Sequence, residues 1–239
     1  ADGYTLTVSP ASFLTTNKSI FKTLPYDPET DFVAIGKLVN QSMVLVVRDK
    51  SRLGAVADVL KLARAAPGSL TYASSGDGSP QHLAGLMFES RAKVKMLHVP
   101  YKGGAPAMTD LMAGNVDMVF APIPEALPHV KAGKLTAVGV MSDKRSAILP
   151  DVPTMRESGV DHLILSAWIG MLAPAKTPQT VIDKLRSSMR TAMAGDARNK
   201  LIEAGMEPVL DEHVSLAQVI SNDIRVHAEL TKAAGVVPQ

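Results

Sequence analysis

The chain has 239 residues, 46% hydrophobic and 4% aromatic, with a formal net charge of +2. That size allows one large domain or two smaller α/β lobes, while scattered basic residues and few aromatic side chains exclude a typical nucleic-acid-binding surface. Cysteine is absent, which excludes disulfides, thiolate nucleophiles and cysteine-bound metals. The apolar runs, such as 44–47, are far shorter than a membrane span.

Short β-rich segments alternate with helix-length segments along most of the chain. The predicted strands cover residues 4–9, 43–47, 70–73, 95–99, 116–121, 135–140 and 163–172. The predicted helices cover residues 55–66, 80–89, 105–113, 125–132, 154–158, 179–194, 197–204 and 215–234. This alternation predicts βαβ units, and therefore an α/β fold of mostly parallel sheets flanked by helices. In open sheets of this kind, ligands bind beyond the carboxyl ends of the strands.

The most distinctive segment is SSGDGS at 74–79, which follows a predicted strand and precedes a helix that begins at Pro80. Ser79 is suited to the N-cap position and Pro80 to the first helical position. The amides of Gln81 and His82 are then expected to be free beside the positive end of the helix dipole, where they would attract an anion. The segment lacks the lysine of a P-loop, which favours a carboxylate over a phosphate. A tight turn that only caps the helix is the alternative.

Four further residues each have a structural and a functional interpretation. Lys102 is expected to be exposed, although it could lie near a cleft. Asp117, set into a predicted buried strand, is expected to be a hydrogen-bonded partner rather than a functional group. Asp77 is expected to cap a turn. Trp168, the only tryptophan, fits core packing and an aromatic wall beside a cleft equally well.

Catalytic residue types occur without a catalytic motif. Ser74, Ser75, Ser79, Asp77, His82 and His98 could supply a nucleophile, a base and an orienting group, but Gly-x-Ser-x-Gly and His-Glu-x-x-His are both missing. The six histidines offer no pair at metal-ligand spacing. We therefore expect no enzyme activity, no metal and no cofactor. A cleft enzyme that uses Ser74, Asp77 and His82 is the weakest alternative.

Several segments together resemble a known family. The segments are LPYDPETDF at 24–32, YASSGDGSPQHLAG at 72–85, HVPYKGGAPAMTDLMAGNVDMVFAP at 98–122 and WIGMLAPAKTP at 168–178, with related segments at 127–140 and 144–159. In this order they resemble the solute-binding receptors of tripartite tricarboxylate transporters, the Bordetella uptake gene (Bug) family. The resemblance implies a two-lobed, type II-like periplasmic binding protein that captures a small carboxylate between its lobes and delivers it to membrane permease subunits. A ligand-sensing module for a membrane signalling partner is the alternative.

The resemblance also implies lobe boundaries and ligand contacts. The first lobe would comprise 1–47 with 168–239, and the second 48–167. The implied contacts of the second lobe are Ser74, Ser75, Gly76, Gly78 and Ser79. Those of the first lobe are Ser9, Ala11 and Ser12. Those near the hinge are Ala121, Ser166 and Trp168.

One feature departs from the family pattern. Family chains usually begin well before DGYTL, which stands at 2–6 here, with a strand, a Gly-rich loop, a helix and another strand. The first lobe is therefore expected to be incomplete, to expose apolar sheet surface and to favour self-association. A periplasmic location is expected, although the chain shows no signal peptide.

Overall fold

The computed structural model describes residues 1–209, 215–233 and 238. Its strands, in chain order, are β1 Thr7–Pro10, β2 Phe32–Arg48, β3 Thr71–Ser74, β4 Leu97–Pro100, β5 Met118–Pro122, β6 Leu135–Val140, β7 Ser166–Pro174 and β8 Glu207–Pro208. Its helices are α1 Ala11–Leu14, α2 Asn17–Ile20, α3 Val56–Ala65, α4 Pro80–Ala92, α5 Gly104–Ala113, α6 Ile123–Lys131, α7 Gln179–Ala194, α8 Asp196–Glu203 and α9 Leu216–Ala233.

The chain divides into two compact units. The terminal unit comprises Ala1–Gln41 with Ala167–Gln239, and the central unit comprises Ser42–Ser166. These boundaries differ slightly from those of the predicted lobes, 1–47 with 168–239 and 48–167, and the interpretation of the units as receptor lobes stays a prediction.

The central unit is built on a mixed sheet with the order β6–β2–β5–β3–β4. Parallel pairing joins β3 to β4 and β3 to β5, where α4 and α5 provide the crossover connections that parallel strands need. The end of β2 is antiparallel to both β5 and β6. Apolar residues of β2 and β5, including Val44 and Val119, pack with Ala107, Leu111 and Leu127 of α5 and α6 in its core.

The terminal unit has its own sheet and core. The start of β2 pairs antiparallel with β8 and neighbours β7, and β7 pairs antiparallel with β1. Trp168 and Leu172 of β7 pack with Leu14 of α1 and with Leu216 and Ile220 of α9. The fold is therefore mixed α/β with helices against the sheets, but the expectation of mostly parallel sheets is wrong for the described pairings. The alternation of strands and helices predicted the β3–α4–β4–α5–β5 crossovers. It could not show that β2 is antiparallel to β5.

Most predicted elements occur with shifted ends. Helix α3 buries Val56, Val59, Leu60 and Ala63, as its periodicity predicts. The prediction of a helix at 154–158 is wrong, because the chain forms a turn there and Gly159 follows with φ +86°. Strand β2 begins eleven residues before the predicted start at Met43, at Phe32, and α1, α2 and β8 were not predicted. The predicted end of the last helix, at 234, lies outside the described residues.

Among the residues that the structure describes, no helix has both the length and the apolar character that crossing a membrane requires.

Candidate ligand-binding loop

The segment 74–79, called the 74–79 loop below, connects β3 to α4. Ser79 is the N-cap of α4, with φ −65° and ψ 158°, and its side chain accepts a hydrogen bond from the His82 amide at 3.3 Å. Pro80 occupies the first helical position. The predicted helix start is confirmed. Because α4 follows a parallel strand directly, its N-terminus and the loop lie at the carboxyl edge of β3.

Most amides of the 74–79 loop already have acceptors within the chain. The Gly76 amide donates to Ser74 Oγ at 3.1 Å, and the Gly78 amide donates to His82 Nδ1 at 3.0 Å. The expectation of a free His82 amide is wrong, because the Ser79 hydroxyl accepts from it. Within the described part of the chain, the amides of Ser75, Asp77 and Gln81 have no acceptor. These three amides are therefore the donors that the loop and the start of α4 can offer to an anion.

Two histidines lie behind the loop. His82 is in the first turn of α4, and His98 is in β4 opposite Tyr72 of β3. Their imidazole rings are stacked with centroids 3.8 Å apart and planes at 4°, and the Tyr72 ring stacks on His98 at 5.0 Å. Spacing along the sequence did not indicate this pair, because parallel pairing of β3 and β4 brings together residues that are distant in the sequence.

Burial holds both histidines in the neutral form near pH 7. The pKa of His98 is lowered to about 4, mainly by desolvation and also by proximity to His82, while Asp77 opposes the shift. Burial also lowers the pKa of His82 against the same opposing carboxylate. The Gly78 contact also requires a neutral His82 ring, since Nδ1 accepts a hydrogen bond and therefore carries no proton.

His98 lies in space between a serine and an aspartate and contacts both. Ser74 Oγ lies 2.7 Å from His98 Nε2, and His98 Nδ1 lies 3.5 Å from Asp77 Oδ1. The order matches that of a nucleophile, a base and an orienting carboxylate. However, Ser74 is fully buried and also accepts from the Gly76 amide, so a substrate does not reach its hydroxyl in this structure. His98, rather than the predicted His82, is the partner of Ser74.

Asp77, His82 and His98 also bring potential metal-ligand atoms within 4.8 Å of one another. Two features oppose a metal ion there. The nitrogen lone pairs of the two stacked rings lie in two nearly parallel planes, so they do not converge on one ion. The Gly78 amide already uses His82 Nδ1. The arrangement fits a hydrogen-bonded support for the loop better than a metal centre.

The starts of three helices meet beside the 74–79 loop. Gln81 of α4 donates from Nε2 to Glu125 Oε2 at 2.8 Å, and Glu125 belongs to the first turn of α6. The Glu125 carboxyl group also touches Gly104, the first residue of α5, closely enough to leave no room for a Cβ atom. Burial raises the pKa of Glu125, and the Gln81 hydrogen bond partly offsets this. Gln81 Oε1 is buried without a partner among the described residues. No sequence signal marks this pair, since the spacing of residues along the chain does not show that helix starts converge.

The remaining predicted residues of the central unit have clear environments. Asp117 is a hydrogen-bonded partner, as expected: its Oδ2 accepts from the amide and the hydroxyl of Thr71, at 2.8 and 3.0 Å. Lys102 is exposed, as expected. Ala121 lies in β5 opposite Val44 and is fully buried. Asp77 is 64% exposed at its side chain and contacts His98 from the loop.

In the terminal unit, the predicted ligand contacts lie around β1, α1 and β7. Ser9 is largely buried at the end of β1 and donates to the Pro10 carbonyl at 3.2 Å, and Ala11 and Ser12 begin the four-residue helix α1. Trp168 is 3% exposed and donates from Nε1 to Asp223 Oδ2 at 2.8 Å, which shows core packing for its ring. Ser166 is exposed at the start of β7. Their contact with a ligand stays a prediction.

The chain matches the family model described as "Tripartite tricarboxylate transporter family receptor" over residues 1–236. It belongs to this receptor family. A receptor-family relative from Pseudomonas sp. (strain P51), described as the UPF0065 protein in the tcbD-tcbE intergenic region, is 36% identical over 81% of this chain and 58% of its own length. Protein BugT of Bordetella pertussis is 30% identical over 98% of this chain and 73% of its own length.

Solved structures of receptor-family proteins share the fold. The structure described as R. palustris Rpa4515 with adipate has a TM-score of 0.88 and 30% identity, covering 100% of this chain and 80% of that one. Periplasmic binding protein BugD has a TM-score of 0.85 and 32% identity with the same coverage. MatC from Rhodopseudomonas palustris with bound malate has a TM-score of 0.81 and 27% identity, covering 96% of this chain and 79% of that one. This chain thus spans 58% of the Pseudomonas relative and about four fifths of each structure.

Proposed function

We propose that this protein is a periplasmic receptor that binds a small dicarboxylate and delivers it to the membrane subunits of a tripartite tricarboxylate transporter. The observation that carries the proposal is the family match over residues 1–236, together with two similar structures whose descriptions name adipate and malate. Both ligands are dicarboxylates of small size. The receptor would hold its ligand unchanged, and hinge closure around the ligand would be recognised by the membrane partner.

The chemistry of the 74–79 loop supports an anionic ligand. The amides of Asp77 and Gln81 lie at the start of the 13-residue helix α4, where the helix dipole favours negative charge. Hydrogen bonds from such amides to a carboxylate are charge-assisted and stronger than neutral ones. The loop itself contains no lysine or arginine, so its electrostatic attraction comes from amides and the helix start. That suits a carboxylate better than a phosphate.

The proposed contacts in the central unit are the amides of Ser75, Asp77 and Gln81. The other predicted loop residues, Gly76, Gly78 and Ser79, would line the ligand, and the buried Ser74 would not. The loop can approach a ligand closely because Gly76 and Gly78 have φ of +128° and +72°, a region that residues with a Cβ atom rarely adopt. The predicted contacts outside the loop, Ser9, Ala11, Ser12, Ala121, Ser166 and Trp168, rest on the family resemblance and await mutagenesis.

Calorimetric titration of the full-length protein tests the proposal. Adipate and malate are titrated beside adipamide, which has the length of adipate but carries no charge. We expect at least one dicarboxylate to bind and to raise the melting temperature, and adipamide to give neither effect. Recovery of the acid unchanged after prolonged incubation, followed by NMR, would exclude turnover. Failure of a broad series of small carboxylates to bind would contradict the proposal.

Two glycine substitutions test whether the ligand binds at the 74–79 loop. Gly78→Ala should weaken dicarboxylate binding by about tenfold or more, because alanine disfavours φ of +72° and reshapes the loop. Gly133→Ala is the matched control, since Gly133 has φ +66° but no atoms near the position of its Cβ. Both variants carry similar backbone strain, so only a site in the 74–79 loop separates their affinities. Equal affinities would place the ligand elsewhere.

A further inference from the structure

We propose that His98 and His82 are positioning residues, which hold the 74–79 loop in the conformation that binds the ligand. The inference rests on the proposed function. Neither ring needs to touch the ligand: His98 acts through Ser74, and His82 acts through the Gly78 amide.

The first connection runs from Asp77 through His98 to Gly76. Beside the Asp77 carboxylate, the neutral imidazole of His98 favours a proton on Nδ1, 3.5 Å from Oδ1. His98 Nε2 then accepts from the Ser74 hydroxyl at 2.7 Å, and Ser74 Oγ accepts from the Gly76 amide at 3.1 Å. The Ser74 hydroxyl has a single proton, and the Gly76 carbonyl oxygen, 3.0 Å away, is a second acceptor for it. The shorter contact, to the unprotonated Nε2, assigns this proton to His98. The Gly76 amide is thereby directed toward Ser74.

The second connection joins α4 to the loop. His82 Nδ1 accepts from the Gly78 amide at 3.0 Å, in a buried contact that requires an unprotonated Nδ1. The stack with His98 fixes the plane of the His82 ring, and β3–β4 pairing fixes His98 beside Tyr72. This stacking contact restricts the rotamers that the His82 ring can adopt. His82 therefore determines the direction of the Gly78 amide.

Together, the two connections decide which donors remain for a ligand. Glycine residues at 76 and 78 give the loop many accessible backbone conformations. With their amides directed to Ser74 and His82, the amides of Ser75, Asp77 and Gln81 are left without acceptors in the described chain. The histidines thus convert a flexible glycine-rich segment into a site with three defined donors.

Substitutions that copy the position of one ring nitrogen separate this role from simple packing. His82→Asn places an acceptor near the position of Nδ1, whereas His82→Leu places none. His98→Gln reaches the position of Nε2, whereas His98→Asn carries the same amide on a side chain one methylene shorter and does not reach Ser74. His162→Asn is the control, because His162 is exposed and has φ +55°, which asparagine tolerates.

Two measurements are made on the full-length protein and these variants. Calorimetry with malate should show at least about tenfold weaker binding for His82→Leu and His98→Asn, with His82→Asn and His98→Gln recovering most of the loss. NMR-detected hydrogen exchange without ligand should show faster exchange of the Gly78 amide in His82→Leu and of the Gly76 amide in His98→Asn. His162→Asn should match the wild type in both measurements.

A pH series adds a readout that packing alone would not give. A proton on His82 Nδ1 removes the acceptor for Gly78. The charged and titratable groups facing the pair are Asp77 from the loop and Tyr72 from β3, whereas Glu89 of α4 acts on Tyr72. As the pH falls from about 7 toward 4.5, malate affinity should fall more for the wild type than for His82→Asn. Because malate titrates equally in both experiments, the difference reports on the histidine.

The outcomes separate the two proposals. If no dicarboxylate binds the wild type but exchange of the two glycine amides responds as expected, the proposed function fails and the positioning of the loop stands. If malate binds and the exchange rates and affinities of His82→Leu and His98→Asn match those of His82→Asn and His98→Gln, the positioning role is overturned and the proposed function stands.

Discussion

The imidazole rings of His82 and His98 lie face to face, with 3.8 Å between centroids and 4° between planes. Stacking at this distance is compatible with two neutral rings, whereas two imidazolium ions would repel each other in a largely desolvated place. The pair therefore links the structure of the central unit to pH.

Acidification should destabilise the folded protein through His98. Its pKa is lowered to about 4 by burial, whereas an unfolded histidine titrates near about 6.5. Between these values the unfolded chain binds more protons, so the free energy of unfolding should fall as the pH drops through this window, by at most about 3 kcal/mol. Urea denaturation across the window measures the slope. His98→Gln should flatten it and the exposed His162→Asn should not; equal slopes for all three proteins would contradict the assignment.

The contribution of Glu125 to the free energy of unfolding should have the opposite pH dependence. Burial raises its pKa, so the folded state binds more protons than the unfolded state around the titration of this group, and its contribution to stability is lost as the pH rises. Glu125→Gln removes the buried charge and keeps a polar partner for Gln81. The free energy of unfolding of the variant, relative to that of the wild type, should therefore be higher at about pH 8 than at about pH 4. Chemical denaturation at both pH values tests this, with the exposed Glu203→Gln as the control. A difference of the other sign would refute the expectation.

Gly85→Ala should be strongly destabilising, although alanine is normally the better helix residue. A Cβ atom at Gly85 would overlap the buried ring of Tyr72. The ring stacks on His98 and cannot move freely, so overpacking should cost about 2–3 kcal/mol and outweigh the helix-propensity gain of about 1 kcal/mol. Gly54→Ala is the control, because its nearest neighbour would be at 3.9 Å. Urea denaturation compares the two, and equal stabilities would contradict the packing argument.

The hydrogen bond between Trp168 and Asp223 should stabilise the terminal unit. Trp168→Phe keeps most of the apolar contact and leaves the Asp223 carboxylate without the Nε1 donor. A double-mutant cycle with Asp223→Ala should give a coupling of about 1–2 kcal/mol, as expected for a hydrogen bond to a charged group. Circular dichroism during urea denaturation is the appropriate measurement, because Trp168→Phe removes the only tryptophan. Additive effects of the two substitutions would show that the bond contributes nothing.

Local sequence signals were sufficient to predict the features that depend only on residues adjacent along the chain. The apolar face of α3 and the Ser79 cap with Pro80 follow from periodicity and helix-start chemistry. The turn at 154–158 shows the limit of such signals: Thr154 and Glu157 exchange hydrogen bonds as in a capping box, yet Gly159 stops the chain before a helix forms.

Features that depend on tertiary pairing were not accessible in the same way. The stacking of His82 on His98 requires the register of β3 and β4, and the contact of Gln81 with Glu125 requires the packing of α4 beside α6. The acceptors for the loop amides also come partly from outside the loop, which is why the sequence overestimated its free donors. Trp168 fitted two environments because composition and position do not distinguish a buried ring from a partly exposed one.

The internal bonds of Gly76 and Gly78 have a consequence for binding entropy. A segment with two glycines would ordinarily lose much conformational freedom when a ligand orders it. Here Ser74 and His82 impose that order during folding, so a ligand arriving at the segment meets a surface whose disorder has already been removed. Association should then resemble binding to a preorganised surface rather than ordering of the loop around the ligand.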